Sequence, residues 1–382
     1  MSREEIIIVG AGPAGSYAGY RLASKGYSVR ILDKAIFPRY KPCGGGILTK
    51  TNKIMPIKEE WIEARFDSVS LTYKYQKPVQ VSTDKDFVMM VDREKFDYEM
   101  VKLAEKAGAN LCQGITVKSV EENSSGVKVI TDQGSFEGNY LIAADGARSQ
   151  VGRSLNLDGY QQRLGVALEG EFLVAEEDFQ RYSKDVHLNY GDLPNGYSWI
   201  FPKDGYLSIG TGTFKSRYPG LKANLDKYLE SLNIDIKETL KLQGSFIPLG
   251  GINQVFSGRR TLFVGDAAGL VDPLTGEGIY YALKSSELAV ETVIDLKSGF
   301  QIGDYDKKIK AEILPEILWA LKSARWGFKC SWLVHKILRF HPELLKYLLD
   351  ILAGEASYSP YFGMLFRKVP GTLLKSTILF KR

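Results

Sequence analysis

The sequence predicts a mixed α/β (α+β) fold: a parallel, doubly wound sheet interrupted by an inserted antiparallel sheet and followed by a helical C-terminal region. Three observations predict it. Ile6 to Val9 is an unbroken apolar run that reads as a strand buried on both faces, and glycines follow at Gly10, Gly12 and Gly15. Two further apolar strands run into small or acidic turns, one ending at Asp145-Gly146 and one at Gly265-Asp266. Residues 160–250 alternate strand-like segments with turns, and from Tyr305 onward the chain is rich in leucine and aromatic residues and reads as helical.

The first turn carries the most chemistry. Gly10, Gly12 and Gly15 form G-x-G-x-x-G between the strand and a helix expected over Ser16 to Ser24. In this pattern the first glycine permits a tight turn, the second lets the backbone approach a pyrophosphate, and the third lets helix and strand pack closely. The helix start then offers free N–H groups and a positive dipole end to phosphates. Gly26 ends the helix, Tyr27 to Leu32 reads as the second strand, and Asp33 closes it, 23 residues after Gly10, where an acid holds a ribose diol. A dinucleotide is implied. FAD and NAD share the ADP half, so the glycines alone do not separate them.

Composition sets the frame. The 382 residues suffice for two joined domains, and 44% hydrophobic with 25% charged residues is ordinary for a globular chain. A net charge of +5 is mild and, without a basic-aromatic motif, points to no nucleic acid. Cys43, Cys112 and Cys330 fit neither a disulfide framework nor a zinc site, so no metal is expected and a reducing cytoplasm is the simplest setting. The apolar N-terminus is consumed by the first strand rather than by a signal peptide, and no apolar run reaches membrane-spanning length.

The remaining elements follow in order. Lys34 to Gly46 holds two prolines and three consecutive glycines and must be a loop at the ligand edge of the sheet, carrying Lys41, Cys43, Gly44 and Gly45. Cys43 is there either as a small buried filler or as a group that touches the ligand. Ser68 to Tyr75 and Val79 to Val81 alternate as antiparallel strands that begin the insertion. Asp92 can cap a helix running to Ala107. Arg93 opposes the dipole in its first turn, which either a nearby anion or plain surface exposure explains. Short strands follow over Ala109 to Val120, Val127 to Ile130 and Ser135 to Glu137. A buried strand from Tyr140 to Ala144 then returns the chain to the first sheet. The inserted sheet comprises Gly165 to Phe172, Val186 to Tyr190, Gly196 to Phe201 and Tyr206 to Thr213, with one helix over Gly220 to Leu232. Tyr197, Trp199 and Phe201 share one strand face, as a cavity wall or as core.

The cofactor choice comes from the third strand. Asp266 at its end can accept ribityl hydroxyls, and Gly276 and Gly278 let backbone lie against a flat ring. A helix starting near Gly278 would aim its positive end at the pyrimidine side of a reduced flavin, worth about 1 kcal/mol. NAD gains nothing from this, and no second G-x-G-x-x-G is present. The reading is therefore a Rossmann-like FAD-binding domain over 1–66, 90–158 and 255–300. The antiparallel-sheet substrate domain takes 67–89 and 159–254, and the helical region 301–382. His341-Pro342 breaks the C-terminal helices, and the tail from Arg367 to Arg382 mixes basic and apolar residues. It is either a solvated helix face or a peripheral contact with an anionic membrane.

Together these stretches resemble the geranylgeranyl reductase family of flavoproteins, which shares the fold of p-hydroxybenzoate hydroxylase. The resemblance rests on the glycine turn, Pro42-Cys43-Gly44-Gly45, Arg93, Asp145-Gly146 and Gly265-Asp266 through Gly278. Its most specific part is Tyr197-x-Trp199-x-Phe201-Pro202 with Gly210. It implies FAD held by Gly10, Gly12, Ala14, Gly15, Asp33, Gly44, Gly45, Arg93, Val117, Asp266, Gly278 and Ile279. The substrate cavity would be lined by Tyr197, Trp199, Phe201, Pro202 and Gly210, with Cys43, Tyr197 and Trp199 in the chemistry. The implied reaction is hydrogenation of isolated C=C bonds in a prenyl lipid or prenyl diphosphate. NAD(P)H or reduced ferredoxin is the external reductant, and Arg39, Lys41 and the basic tail are candidates for the mouth. Rival readings are an aromatic hydroxylase, a halogenase using Lys74 or Lys77, and a non-catalytic FAD-containing carrier.

Overall fold

The computed structural model describes residues 4–161, 163–250 and 255–379. The central strand, Glu4–Val9, pairs in parallel with Val29–Asp33 on one side and Gly134–Ala143 on the other. Ile6, Ile7 and Ile8 are almost wholly buried in the largest apolar core of the chain. Asn110–Gln113 extends the sheet beyond Val29–Asp33, and Thr261–Phe263 pairs in parallel with Leu141–Ala143. The first helix spans Pro13–Ala23, starting earlier than expected because the fixed φ of Pro13 suits a first helical turn. Asp92 caps the helix Arg93–Lys106 by accepting from Lys95 N at 2.9 Å, as expected.

One expectation is corrected here. Ser135 to Glu137 and Tyr140 to Ala144 are one ten-residue strand, Gly134–Ala143, rather than two. Its first half pairs antiparallel with Val127–Thr131 and its second half in parallel with Glu4–Val9. The apolar pattern breaks at Gly138 because an added Cβ there would meet Ile7 at 2.9 Å. The strand itself continues.

The inserted sheet has seven strands in the order Ile236–Pro248, Leu164–Val174, Leu207–Thr213, Gly196–Pro202, Val186–Tyr190, Ser68–Tyr73, Gln76–Ser82. It departs from expectation in three ways. Val186–Tyr190 and Ser68–Tyr73 run parallel, since the chain leaves for the nucleotide sheet between them. The edge strand Ile236–Pro248 is thirteen residues long, its pattern hidden by exposure of most of its side chains. A second helix, Glu176–Tyr182, has no buried residue and hence no apolar signature. A small third sheet, Gly46–Leu48, Val88–Met90 and Ala64–Phe66, joins the nucleotide and inserted sheets.

The C-terminal helices, Leu314–Lys329, Ser331–Phe340, Glu343–Ala353 and Tyr358–Leu379, stand over the inserted sheet. The break at His341-Pro342 falls where expected. Ile337, Leu338, Leu345, Leu352, Tyr361 and Leu365 form one apolar cluster with Val69, Val79, Val88 and Met90 from the sheets. The tail reading depends on Leu373, Leu374, Lys375, Ile378, Leu379, Phe380, Lys381 and Arg382, side chains that lie outside the described residues.

Candidate active site

A single cavity of about 980 Å³ runs from the ligand edge of the parallel sheet to the C-terminal helices. Its first lobe is built on the glycine turn. Gly10 turns at φ +101°, a conformation costly for other residues, and its N–H donates to Leu32 O at 2.8 Å. Asp33 locks the turn: one carboxylate oxygen accepts from Ala11 N at 2.6 Å and the other from Ala35 N at 2.7 Å. The start of helix Pro13–Ala23 faces the same space, and Ile115, Thr116 and Val117 form the opposite rim.

Arginines complete this lobe. Asp97 is fully buried and takes Arg93 in a two-pronged pair at 2.9 and 3.0 Å, while Arg39 reaches it at 2.9 Å. Two guanidiniums on one carboxylate leave a net positive charge, and Arg39 Nη1 is buried without a partner among the described residues. An anion is the group that satisfies it. With open space over Gly12 and the helix N-terminus beside it, this geometry fits the pyrophosphate of a dinucleotide. Arg39 thus belongs to the nucleotide lobe rather than to a substrate mouth. Arg93 has its partner one helical turn away, which accounts for its place in the first turn.

The middle of the cavity joins two motifs that are distant in sequence. The Cys43-Gly44-Gly45 loop lies on the aromatic face of the inserted sheet. A Cβ on Gly44 would fall 2.5 Å from the Phe201 ring and 3.2 Å from Trp199 Nε1, so only glycine fits. Cys43 Sγ accepts from Gly45 N at 3.4 Å, and the Arg93 guanidinium faces the same sulfur. Lys41 lies against Asp266 and Arg93, and burial pushes its ammonium pKa down. Asp266, Gly278 and Ile279 form the wall across from the loop. The Tyr197 hydroxyl donates to Thr275 O, and burial pushes its pKa upward.

The second lobe is apolar, and strand register explains its surface. Residues directly opposed across strands point to the same face. One row reads Glu169, Gly210, Trp199, Leu188, Leu71, and the flanking rows carry Ala167, Gly212, Tyr197, Tyr190 and Ser208, Phe201. Val334, Leu338, Leu348, Leu352, Tyr361 and Leu365 from the C-terminal helices roof this face. These helices form a cavity wall, a role invisible in their sequence because a wall and a core both present leucine.

Most residues singled out from sequence line this cavity: Gly10, Gly12, Ala14, Asp33, Cys43, Gly44, Gly45, Arg93, Val117, Tyr197, Trp199, Phe201, Asp266, Gly278 and Ile279. Gly15, Pro202 and Gly210 do not. Gly15 packs on Gly10, Gly210 lies beneath the Trp199 indole, and Pro202 ends its strand, buried. Lys74 sits in the turn after Ser68–Tyr73 and Lys77 is the second residue of Gln76–Ser82, both away from the cavity lining. Two cavity acids escaped the sequence reading, Glu169 and Glu277. Glu169 was legible as an acid in register with inward-facing Ala167, had the strand face been assigned.

Glu277 sits between Gly276 and Gly278 and accepts from Tyr280 N at 2.7 Å at the start of helix Ile279–Asp295. Burial pushes its carboxyl up to about 7, against the pull of the helix amides and Lys50. The folded pKa lies above the unfolded one, so the stability it confers is full below pH 4.5 and lost as pH rises through about 7. In the apoprotein this amounts to about 3 kcal/mol. Urea unfolding at pH 4.5 and 8 will show wild type losing that much more stability than Glu277→Gln; equal losses would reject the assignment.

The glycine turn, the paired arginines and the strand-end acid define a flavin-dinucleotide oxidoreductase. The comparisons agree. An FAD binding domain matches residues 3–198. A geranylgeranyl diphosphate reductase of Rhodobacter capsulatus is 32% identical over 304 residues, 77% of this chain and 76% of that protein. A menaquinone reductase of Mycobacterium tuberculosis is 32% identical over 311 residues, 75% of this chain and 76% of that one. Among solved structures, a geranylgeranyl bacteriochlorophyll reductase-like protein of Thermoplasma acidophilum superposes with a TM-score of 0.79 over 99% of this chain and all of its own, at 22% identity. The halogenase PltM shares the fold at a TM-score of 0.70 and 17% identity, over 96% of this chain and 86% of its own. The chain belongs to the geranylgeranyl reductase family of FAD-dependent oxidoreductases. Among the described residues no helix is long and apolar enough to cross a membrane.

Proposed function

We propose that the protein hydrogenates isolated C=C bonds of a prenyl chain carried on a lipid or a prenyl diphosphate. The observation that carries this reading is the continuity of the cavity: an apolar lobe walled by Tyr190, Trp199, Leu188, Leu338 and Leu352 opens on the cofactor edge of the same space. FAD, once reduced by NAD(P)H or ferredoxin, supplies hydride. An isolated alkene has no carbonyl to polarise, so the protein must stabilise positive charge developing on the second carbon and then protonate it. The Tyr197, Trp199 and Phe201 ring faces serve the first need, and the Cys43 thiol, beside the loop that meets them, serves the second.

The test is anaerobic mass spectrometry of dithionite-reduced enzyme with geranylgeranyl diphosphate and, separately, a membrane lipid extract. Products heavier by pairs of hydrogens are expected, and the productive substrate tells a diphosphate from a lipid head. Gain of oxygen or halogen only in air would replace the reading with hydroxylation or halogenation. Less than one product per FAD would indicate a carrier. Cys43→Ala should retain FAD and lose about 10²-fold in product formation; unchanged turnover at full FAD occupancy would remove Cys43 from the chemistry.

A further inference from the structure

If Cys43 gives up its proton, something must return one each turnover, and the face of the inserted sheet beside the Cys43 loop carries one buried acid. Glu169 is 3% exposed and lines the cavity in the same cross-sheet row as Trp199. One carboxyl oxygen accepts from Ser208 Oγ at 2.8 Å; the other is buried with no partner among the described residues. A carboxylate held this way loses more solvation than the Ser208 hydroxyl, Lys203 and the Cys43 amide restore, whereas a protonated carboxyl has a hydrogen to donate. The Cys43 backbone faces it from the glycine loop. Tyr40, three residues before Cys43, lines the same space, feels the charges of both Glu169 and Cys43, and has an equally unpartnered buried hydroxyl.

Groups that reach solvent lie next to this pair. Glu171, two residues along the same strand and on the same face, is half-buried. Lys241 of the edge strand packs over the Tyr40 ring at 4.4 Å and pairs with Glu94 at 3.0 Å at the surface. We propose that Glu169, assisted by Tyr40, is the internal acid that returns a proton to Cys43. The proposal rests on the prenyl-reductase reading. In the balanced step, the bound and reduced cofactor would supply the hydride for one C–H bond and give up two electrons in doing so. The proton leaving the Cys43 S–H bond forms the second C–H bond. The thiolate then takes the proton from the Glu169 O–H bond, and Glu169 takes one from solvent through Tyr40 and Glu171. Glu169 thus acts through Cys43 and is active when protonated.

The groups facing Glu169 fix the sign of the pH dependence. Burial raises its pKa most, and Glu171 adds to this; Ser208, Lys203 and the Cys43 amide pull it back. Lys203 is itself occupied by Val91 O at 2.6 Å and by Glu63 at 3.8 Å. Hydrogenation should therefore fall as pH rises through the raised Glu169 pKa.

The experiment follows product formation over many turnovers, with excess dithionite keeping the flavin reduced and geranylgeranyl diphosphate or prenyl lipid as substrate, across pH and without oxygen. Glu169→Gln should lower the rate about 10²-fold and erase the alkaline fall, with FAD content and dithionite reduction unchanged; Glu169→Asp should restore the fall. Ser208→Ala removes a bond that favours the ionised form and should move the fall to higher pH, a shift that a packing role for Glu169 would not produce. A wild-type rate and pH profile in Glu169→Gln overturns the relay. Should Glu169→Gln fail to bind FAD, an unmoved profile in Ser208→Ala overturns it instead. If wild type gives no hydrogenated product, the prenyl reading fails and the relay falls with it; product from wild type with indifferent variants sinks the relay alone.

Discussion

Gly15→Val yields a destabilised protein that purifies without FAD, whereas Gly12→Ala yields an equally colourless protein of wild-type apo stability. The two glycines lie three residues apart and do different work. A Cβ on Gly15 would stand 1.8 Å from Gly10 O and 3.2 Å from Ala144 Cβ, so the helix must lift off the strand. Overpacking of this kind costs about 1–3 kcal/mol, and the displaced helix start no longer faces the phosphates. A Cβ on Gly12 meets only Arg39 Nη2, at 3.9 Å, and its backbone at φ −70° accepts any L residue. It would occupy only the space that the pyrophosphate needs. Flavin absorbance on purification and urea unfolding of both apoproteins separate the cases. A yellow Gly12→Ala would mean that the pyrophosphate does not pass over this turn.

This difference shows what the chain discloses on its face. The nucleotide half of the site was legible because each feature is local: a strand, three glycines, an acid 23 residues on, a capped helix. The place of Arg39 beside the glycine turn was not legible, because its partner is Asp97, 58 residues away on a helix that the sequence does not place beside it. The substrate half was legible as a motif and illegible as a surface. Tyr197, Trp199 and Phe201 announce a shared face. What lies opposite them depends on register with Leu207–Thr213 and Leu164–Val174, and the long edge strand beyond those carries too few buried positions to be seen. Glu169 entered the cavity through that register, and the C-terminal helices through tertiary packing alone.

Gly210→Val should leave a fully yellow protein that no longer hydrogenates its substrate at a useful rate, a loss of about 10²-fold or more for a displaced site. Gly210 lies directly opposite Trp199 in the antiparallel pair, and its missing side chain is the seat of the indole: an added Cβ would come within 2.2 Å of Trp199 Cζ2. Trp199 Nε1 in turn abuts Gly44, so a displaced ring pushes on the loop that carries Cys43. The nucleotide lobe is built from other strands, so FAD content should not change. The strain, about 1–3 kcal/mol, should show as a lower melting temperature. The pathway through the indole is open to a double-mutant cycle. Trp199→Leu removes the ring that Gly210→Val would strike, so the double variant should be no slower than Trp199→Leu alone and more stable than Gly210→Val alone. Additive losses would mean that Gly210 acts on the reaction by some route other than Trp199. The spacing that unites Tyr197-x-Trp199-x-Phe201-Pro202 with Gly210 would then need a different physical cause.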